Sequence, residues 1–421
     1  MNQREKGLLR GRQAGAAAQH LPQEMEAAFL WARTLYPSAG DMDYAAAVLA
    51  YDKERLASEP DLAKFPELRG HIDLLLAERE GFMETSGLDE TAAAFHFSWD
   101  WFDRRRMNTR HLARWDILVA SPSVGCTNAF FPDGVDGVTI SDNRDVPLQK
   151  DMSTLAAMRP EFILRQNPIN WVQGAVSSAV MLDDEPECIF PANPQLYDLM
   201  PEDCLQHIDD IIDFMTRYNE FWGPTNQIWV DRELHAVAVE KTNCLMAVRR
   251  PTVNGAIAVT ACAYLDDTLF AHQLSRARKA AEIKGESEEK SLDMNYHLGS
   301  RKRYRRWVEL VNEEAKRGAT LWGALDVVAD HAVPYPDRVC LAGENCSGAN
   351  SKNENWSVTQ HAAVITGPHQ RCLYRSVQSY DNPKPVYDYT PKLMLGKGVA
   401  MQPEWQADVD AGRCELTPPV A

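Results

Sequence analysis

The sequence predicts an α+β protein in which antiparallel sheets are layered with helical blocks, and three observations carry that prediction. Residues 226–264 break into short apolar runs separated by polar turns, the pattern of a strand meander. Long segments on either side carry apolar residues at helical spacing. Along the chain the order is helices, strands, helix, strands, helices, strands, which is how a layered α+β fold reads in one dimension.

The elements follow in turn. The first twenty residues carry Arg and Lys but no apolar stretch ahead of their alanines, so they read as a loose tail and not as a secretory signal. Helices are predicted over 27–36, 43–57 and 62–85, with breaks near Pro37 and Pro60. Composition changes at Trp115, and 117–144 reads as strands around a tight turn. A looser segment runs from Pro147 to Pro201. The helix predicted over 202–218 sets Leu205, Ile208, Ile211, Ile212 and Met215 on one stripe. Strands follow at 226–232, 235–240, 244–250 and 255–264, the last two joined through Asn254-Gly255. Helices over 268–290 and 300–330 come next, and 343–355 reads as a surface loop before strands at 362–366 and 372–377.

Composition narrows the function. At 421 residues the chain can bury a sizeable core. A net charge of −16 repels phosphate backbones and anionic lipid, so neither nucleic acid nor a membrane surface is an expected partner. No run of apolar residues is long enough for a membrane span. The nine cysteines are scattered, with no CxxC and no metal-type spacing. They read as free thiols of a cytoplasmic protein that needs no metal and no cofactor. The sequence leaves open whether the chain forms a homo-oligomer.

One hairpin carries chemistry. Cys126-Thr127-Asn128-Ala129-Phe130-Phe131 leads into a Gly-rich turn and returns through Thr139 to Asp145. With the turn centred between Gly134 and Val135, antiparallel pairing sets Asn143 opposite Cys126, to within one residue. Opposed residues share a face, and Asp145 shares it too, while Arg144 points away. A thiol beside an amide and a carboxylate, without an imidazole, makes a poor ordinary cysteine protease. It becomes coherent if the backbone is cut before Cys126. The freed α-amine, with a pKa of about 7.7–8.0, then serves as the thiol's own base. Asp145 and Asn143 orient that amine, and Thr127 helps to position it. Gly125 lets the thiol approach the preceding carbonyl. A lone Gly-Cys ahead of a strand is otherwise an ordinary buried cysteine.

Other features read more plainly. His96, with Trp99, Trp101 and Phe102, is either packed core or the lining of an acyl pocket. His96 and His235 are candidates for catalysis, against the plainer reading of packed or partly exposed histidines. The basic runs 104–106 and 302–306 read as solvated faces or ion-pair partners. Cys340 and Cys346 lack further ligands for zinc, and the pairs Asp209-Asp210 and Asp266-Asp267 lack metal spacing.

Gly125-Cys126-Thr127 followed by Asp142-Asn143-Arg144-Asp145 resembles the Gly-Cys-Thr and Arg-Asn-x-Asp motifs of a known family. This is the acyl-coenzyme A:6-aminopenicillanic acid acyltransferase-like branch of the N-terminal nucleophile (Ntn) hydrolases, related to acid ceramidase and bile salt hydrolase. Asn226 to Asp231, Ala238-Val239-Glu240, Ala247-Val248-Arg249 with Pro251, Gly299-Ser300-Arg301 and 336–340 are similar to later landmarks, so the resemblance covers roughly residues 120–377. It implies a four-layer αββα sandwich of antiparallel sheets and self-cleavage at Gly125–Cys126. The products would be a helical α chain or propeptide, 1–125, and a catalytic β chain, 126–421, that stay associated. It also implies attack of Cys126 on a small-molecule linear amide or a thioester, with an acyl-enzyme resolved by water or an amine. The sequence departs from the family at two places. The family's Arg falls on Asp142, and its Thr-Asn-His-Phe run, source of an oxyanion-hole Asn, falls on Thr260-Ala261-Cys262-Ala263. Asn128, Asn143 or backbone N–H groups are the available substitutes. The second departure defines the rival reading, a catalytically impaired member that serves as a binding or scaffold protein.

Overall fold

The computed structural model describes residues 2–17, 69–94, 125–147, 171–174, 207–217, 225–231, 233–242, 245–260, 263–285, 298–333, 337–340, 357–367, 369–377 and 390–417, with Ala46, Leu49, Ala50, Lys53 and Ser287. The chain forms two compact units. One comprises Met1–His111 with Asp184–Pro201, the other Leu112–Asp183 with Glu202–Ala421. The predicted helices 27–36 and 43–57, the aromatic run around His96, residues 104–106, Cys346 and the loop 343–355 lie outside the described residues, apart from isolated positions.

In the first unit, α1 (Gln3–Ala17) and α2 (Arg69–Ser86) run side by side in the same direction. Residues 3–17, expected within a loose tail, are therefore helical and packed. The buried stripe of α1 is Gly7, Gly11 and Gly15, four residues apart. A Cβ on Gly11 would lie 1.9 Å from the Glu78 carbonyl oxygen, and one on Gly81 of α2 would lie 2.3 Å from that of Leu8. The backbones meet where only hydrogen fits. Arg4–Glu80 (2.7 Å) and Arg12–Glu84 (2.5 Å) flank the seam.

The second unit holds two sheets. The larger has the order β11-β10-β9-β8-β2-β1-β7, formed by β1 (Gly125–Phe131), β2 (Thr139–Pro147), β7 (Ile257–Thr260), β8 (Ser357–Ile365), β9 (Arg371–Val377), β10 (Lys392–Leu395) and β11 (Glu415–Thr417). It is antiparallel except for β10 and β11, which pair in parallel. The smaller sheet, β3-β4-β5-β6, is antiparallel throughout: β3 (Trp171–Gly174), β4 (Thr225–Val230), β5 (Ala236–Lys241) and β6 (Met246–Arg249). The helices are α3 (Ile208–Arg217), α4 (Asp267–Lys284), α5 (Leu298–Arg317), α6 (Leu321–Val328) and α7 (Pro403–Asp410).

Strand alternation assigns the faces. On one face of the larger sheet, Ala129, Phe131 and Ala258 pack with Tyr304, Trp307 and Val311 of α5 and Leu321, Ala324 and Leu325 of α6. On the other, Phe130, Ile140, Ile257 and Val259 pack against Ile228, Val230, Ala236 and Ala238 of the smaller sheet. The sheets thus share a dry layer. Helix α3 lies against β4, and the first turn of α4 packs on Leu245 and Ala247. No helix among the described residues is long and apolar enough to cross a membrane.

Two local rules shape the connections. Asn254 (φ 46) and Gly255 (φ 69) both adopt positive φ, as a type I′ turn requires, and Ala256 N donates to Val253 O at 2.8 Å. The single helix predicted over 300–330 is two. Gly318 (φ 76) ends α5, Thr320 N-caps α6 by accepting from Gly323 N at 2.8 Å, and Thr320 N donates to the buried Glu314 carboxylate at 3.1 Å.

Candidate functional site

The hairpin carrying Cys126 is present, in a register one residue removed from the prediction. Gly125 pairs with Asp145, Cys126 with Arg144, Thr127 with Asn143 and Asn128 with Asp142. The turn centres on Val135, so an odd number of residues separates the paired positions. A one-residue slip exchanges the faces. The expected grouping of Cys126 with Asn143 and Asp145 is thereby corrected. Cys126 alternates with Asn128 and stands in the set containing Asp142 and Arg144, whereas Asn143 and Asp145 alternate with the set of Thr127. Asp145 instead stands opposite Gly125, the residue on the upstream side of the expected cut.

The set containing Asn128 and Asp142 faces the layer between the sheets, because Phe130 and Ile140 belong to it. Along that face each strand changes character in the same direction. On β1 the sequence runs Phe130, Asn128; on β2, Ile140, Asp142; on β4, Val230, Ile228, Asn226; on β5, Ala236, Ala238, Glu240. The layer between the sheets is apolar at one end and polar at the end where β1 starts.

At that polar end the groups are buried. Asn128 (3% exposed) donates from Nδ2 to Asp142 Oδ1 at 2.8 Å, while its own Oδ1 accepts nothing. Asn226, fully buried on β4, donates both amide hydrogens, to Thr260 O at 2.7 Å and Ala263 O at 2.8 Å, and its Oδ1 is likewise without a donor. Thr260 is the ladder partner of Thr127, so the Asn226 amide crosses from one sheet to the other within a residue of Asn128. A buried acceptor left unpaired costs about 1–3 kcal/mol. The Thr127 hydroxyl, on the helix-facing set, is also buried without a partner.

A second cluster closes the β6–β7 side. Glu240 (1% exposed) accepts from Tyr304 Oη at 2.7 Å and from the backbone N–H of Leu265 and Asp266 at 2.8 and 3.0 Å. Arg249 donates to Tyr304 Oη at 2.5 Å and to Ala258 O, and lies 3.7 Å from Glu240. Burial drives the Tyr304 phenol well above its ordinary pKa, with Glu240 adding to the shift. It therefore stays protonated as a donor. Together Asn226 and Glu240 pin both ends of the segment 260–266.

The remaining predicted features have structural roles. His235 Nδ1 lies 3.3 Å from Asp231, Asp209 pairs with Arg250 at 3.1 Å, and Asp267 pairs with Arg301. Of the basic run 302–306, Arg306 holds Asp330 through two hydrogen bonds. Cys340, Cys372 and Cys414 are buried thiols outside any disulfide, and burial pushes the Cys372 thiol far up. A cavity of about 400 Å³ lies at the far, hairpin-turn end of the larger sheet, lined by Asp136, Arg371, Trp405 and Asp408. Among its lining groups Arg371 pairs with Asp136 at 2.8 Å, and Asp408 with Arg413.

Asn226, Glu240, Arg249 and Tyr304 escaped sequence reasoning as site residues. For Asn226 and Glu240 the signal was a polar residue at one end of an otherwise apolar strand face. No protein-family model matches the chain, and no characterised protein matches its sequence.

Proposed function

We propose that this chain is an autoproteolytic Ntn-type hydrolase or acyltransferase with Cys126 as nucleophile, in a four-layer αββα fold. The observation that carries the reading is the polar end of the layer between the sheets, which coincides with the start of β1 at Gly125-Cys126. In the first step the Cys126 thiol adds to the Gly125 carbonyl, and the Gly125–Cys126 C–N bond breaks as the nitrogen takes the proton. Water then hydrolyses the resulting thioester, freeing a Gly125 carboxylate and the α-amine of Cys126. In turnover that amine accepts the thiol proton while sulfur attacks an amide or thioester carbonyl. It returns the proton to the leaving group, and water or an amine resolves the acyl-enzyme.

The register redistributes the supporting roles. Asp145, opposite Gly125, holds the new ammonium. Asn128, fixed by Asp142, lines the acyl side of the site. Asn143 and Thr127 support the strand pairing beneath. The reading includes a cytoplasmic location, drawn from the scattered thiols. One feature favours the rival binding or scaffold role: residues 260–263 contain no Asn, and an oxyanion donor is typically worth about 3–4 kcal/mol of barrier.

Intact mass under denaturing conditions separates the two. The catalytic reading expects fragments that meet at Gly125–Cys126, and a single chain for Cys126→Ala. An uncut wild-type chain that resists thiol-directed acylating probes would leave the scaffold reading standing.

A further inference from the structure

We infer that the cavity of about 400 Å³ at the hairpin-turn end of the larger sheet binds a small organic cation, an amine carried on an apolar body. The inference is independent of the reaction proposed for Cys126. Volume is its first support. Small-molecule sites occupy about 300–1,000 Å³, whereas a water takes only about 30 Å³ of liquid. The base of the cavity is apolar: Leu321, Leu373, Leu393 and Cys414 line it, all of them buried. Val135, left 69% exposed on the hairpin turn, lines it as well. Two indoles complete the apolar part. Trp322 is held by its Nε1–H, which donates to Asp408 Oδ2 at 3.1 Å. The Trp405 ring carries the Arg371 guanidinium 4.3 Å from its centroid, so this ring already takes a cation on its face.

Charge selects the ligand. The lining holds three carboxylates, Asp136, Glu404 and Asp408, and one guanidinium, Arg371. Arg371 is spent on Asp136, and Asp408 is matched by Arg413 from outside the lining. Glu404 is exposed and stands in no ion pair among the described residues. Two of the three carboxylates are thus matched and the third is not. An anionic ligand would meet that surplus with no spare guanidinium to receive it. A metal ion is not the complement, since the described residues contain no group of three His, Cys, Asp or Glu able to hold one. The fitting ligand lays apolar surface on the leucines and indoles and turns an ammonium towards Glu404. Gly125 begins β1 at the opposite end from this turn, the length of the strand or roughly 20 Å away. The ligand is therefore distinct from the acyl substrate of the reaction proposed above.

The test uses the full-length protein as purified. Titration calorimetry reads the binding of n-butylamine, phenethylamine and tryptamine, each against the alcohol and the carboxylate of the same skeleton. The expectation is saturable binding of at least one amine, about fivefold tighter than its alcohol at low salt, with the carboxylate weakest of the three. Added salt erodes the preference for the amine and leaves the alcohol unaffected. Glu404→Gln, an exposed substitution, brings the affinities of amine and alcohol together, and Glu404→Lys abolishes amine binding while thermal unfolding stays as in the wild type. Both readouts are indifferent to whether the chain cuts itself or turns over a substrate. Absence of saturable binding for all three amines overturns the site. Equal affinity for amine and alcohol, or a preference for the carboxylate, overturns the ligand class. Amine binding unchanged in both Glu404 variants shows that the amine sits elsewhere and overturns the proposal.

Discussion

The carboxylate of Glu240 shows what a buried charge requires. It accepts from one phenol and two backbone N–H groups, with a guanidinium 3.7 Å away. Tyr304→Phe removes the hydroxyl that joins Glu240 to Arg249 and is expected to cost about 1–3 kcal/mol in urea unfolding. Glu240→Leu strips Arg249 of its carboxylate and leaves two N–H groups unpaired, for a loss of about 3–5 kcal/mol. Equal, small effects of both would show that the cluster is not closed as described. Titration gives a second residue-scale test. Burial, with Arg338 nearby, pulls His331 down to about 4. The unfolded chain takes up this proton near pH 6.5, so between about 6.5 and 4 the unfolded state binds more protons than the folded one. The stability from the neutral imidazole is fully present above that window and is lost as pH falls through it. Urea midpoints at pH 7 and pH 4.5 are expected to diverge in the wild type and to diverge less in His331→Gln. An identical divergence would remove His331 from the acid limb.

At the scale of elements, α1 and α2 are held by close backbone approach. Gly11→Ala sets a methyl 1.9 Å from the Glu78 carbonyl oxygen, so the helices must part. A loss of about 1–3 kcal/mol is expected, read as faster hydrogen exchange over residues 3–17, while Gln13→Ala on the exposed side leaves exchange unchanged. The same pair explains what sequence reading missed. A helix that buries only glycines has no apolar stripe, and helical periodicity is blind to it. The strands β4 to β7 were legible because they are short apolar runs set off by polar turns and because Asn254-Gly255 announces its turn. The hairpin was legible as a hairpin. Its register was not, because register depends on the turn conformation across 132–138, and a one-residue difference moves Asn143 and Asp145 off the face of Cys126. The short elements β10, α7 and β11 carry too few residues for a period to show, and the parallel pairing of β10 with β11 follows from tertiary packing alone.

At the scale of the whole molecule, the proposed cut does not coincide with a boundary between compact units. The first unit takes Asp184–Pro201 from beyond Cys126, and the second takes residues 112–125 from before it. Each unit is therefore assembled from both products of a break at Gly125–Cys126. Strand β1 stays in the sheet after the break, since its ladders to β2 and β7 involve Thr127 onward as well as the two residues at the cut. Freeing a chain end inside a paired sheet changes the local ends and leaves the cores intact. The fragments are thus expected to co-elute as one species in native size exclusion and to separate only in denaturant. Urea should release both in a single step with loss of β structure, because neither keeps a complete unit alone. Separation of 1–125 from 126–421 under native conditions would show instead that the first fragment is a removable propeptide, and that the residues it shares with the second unit do not bind it there.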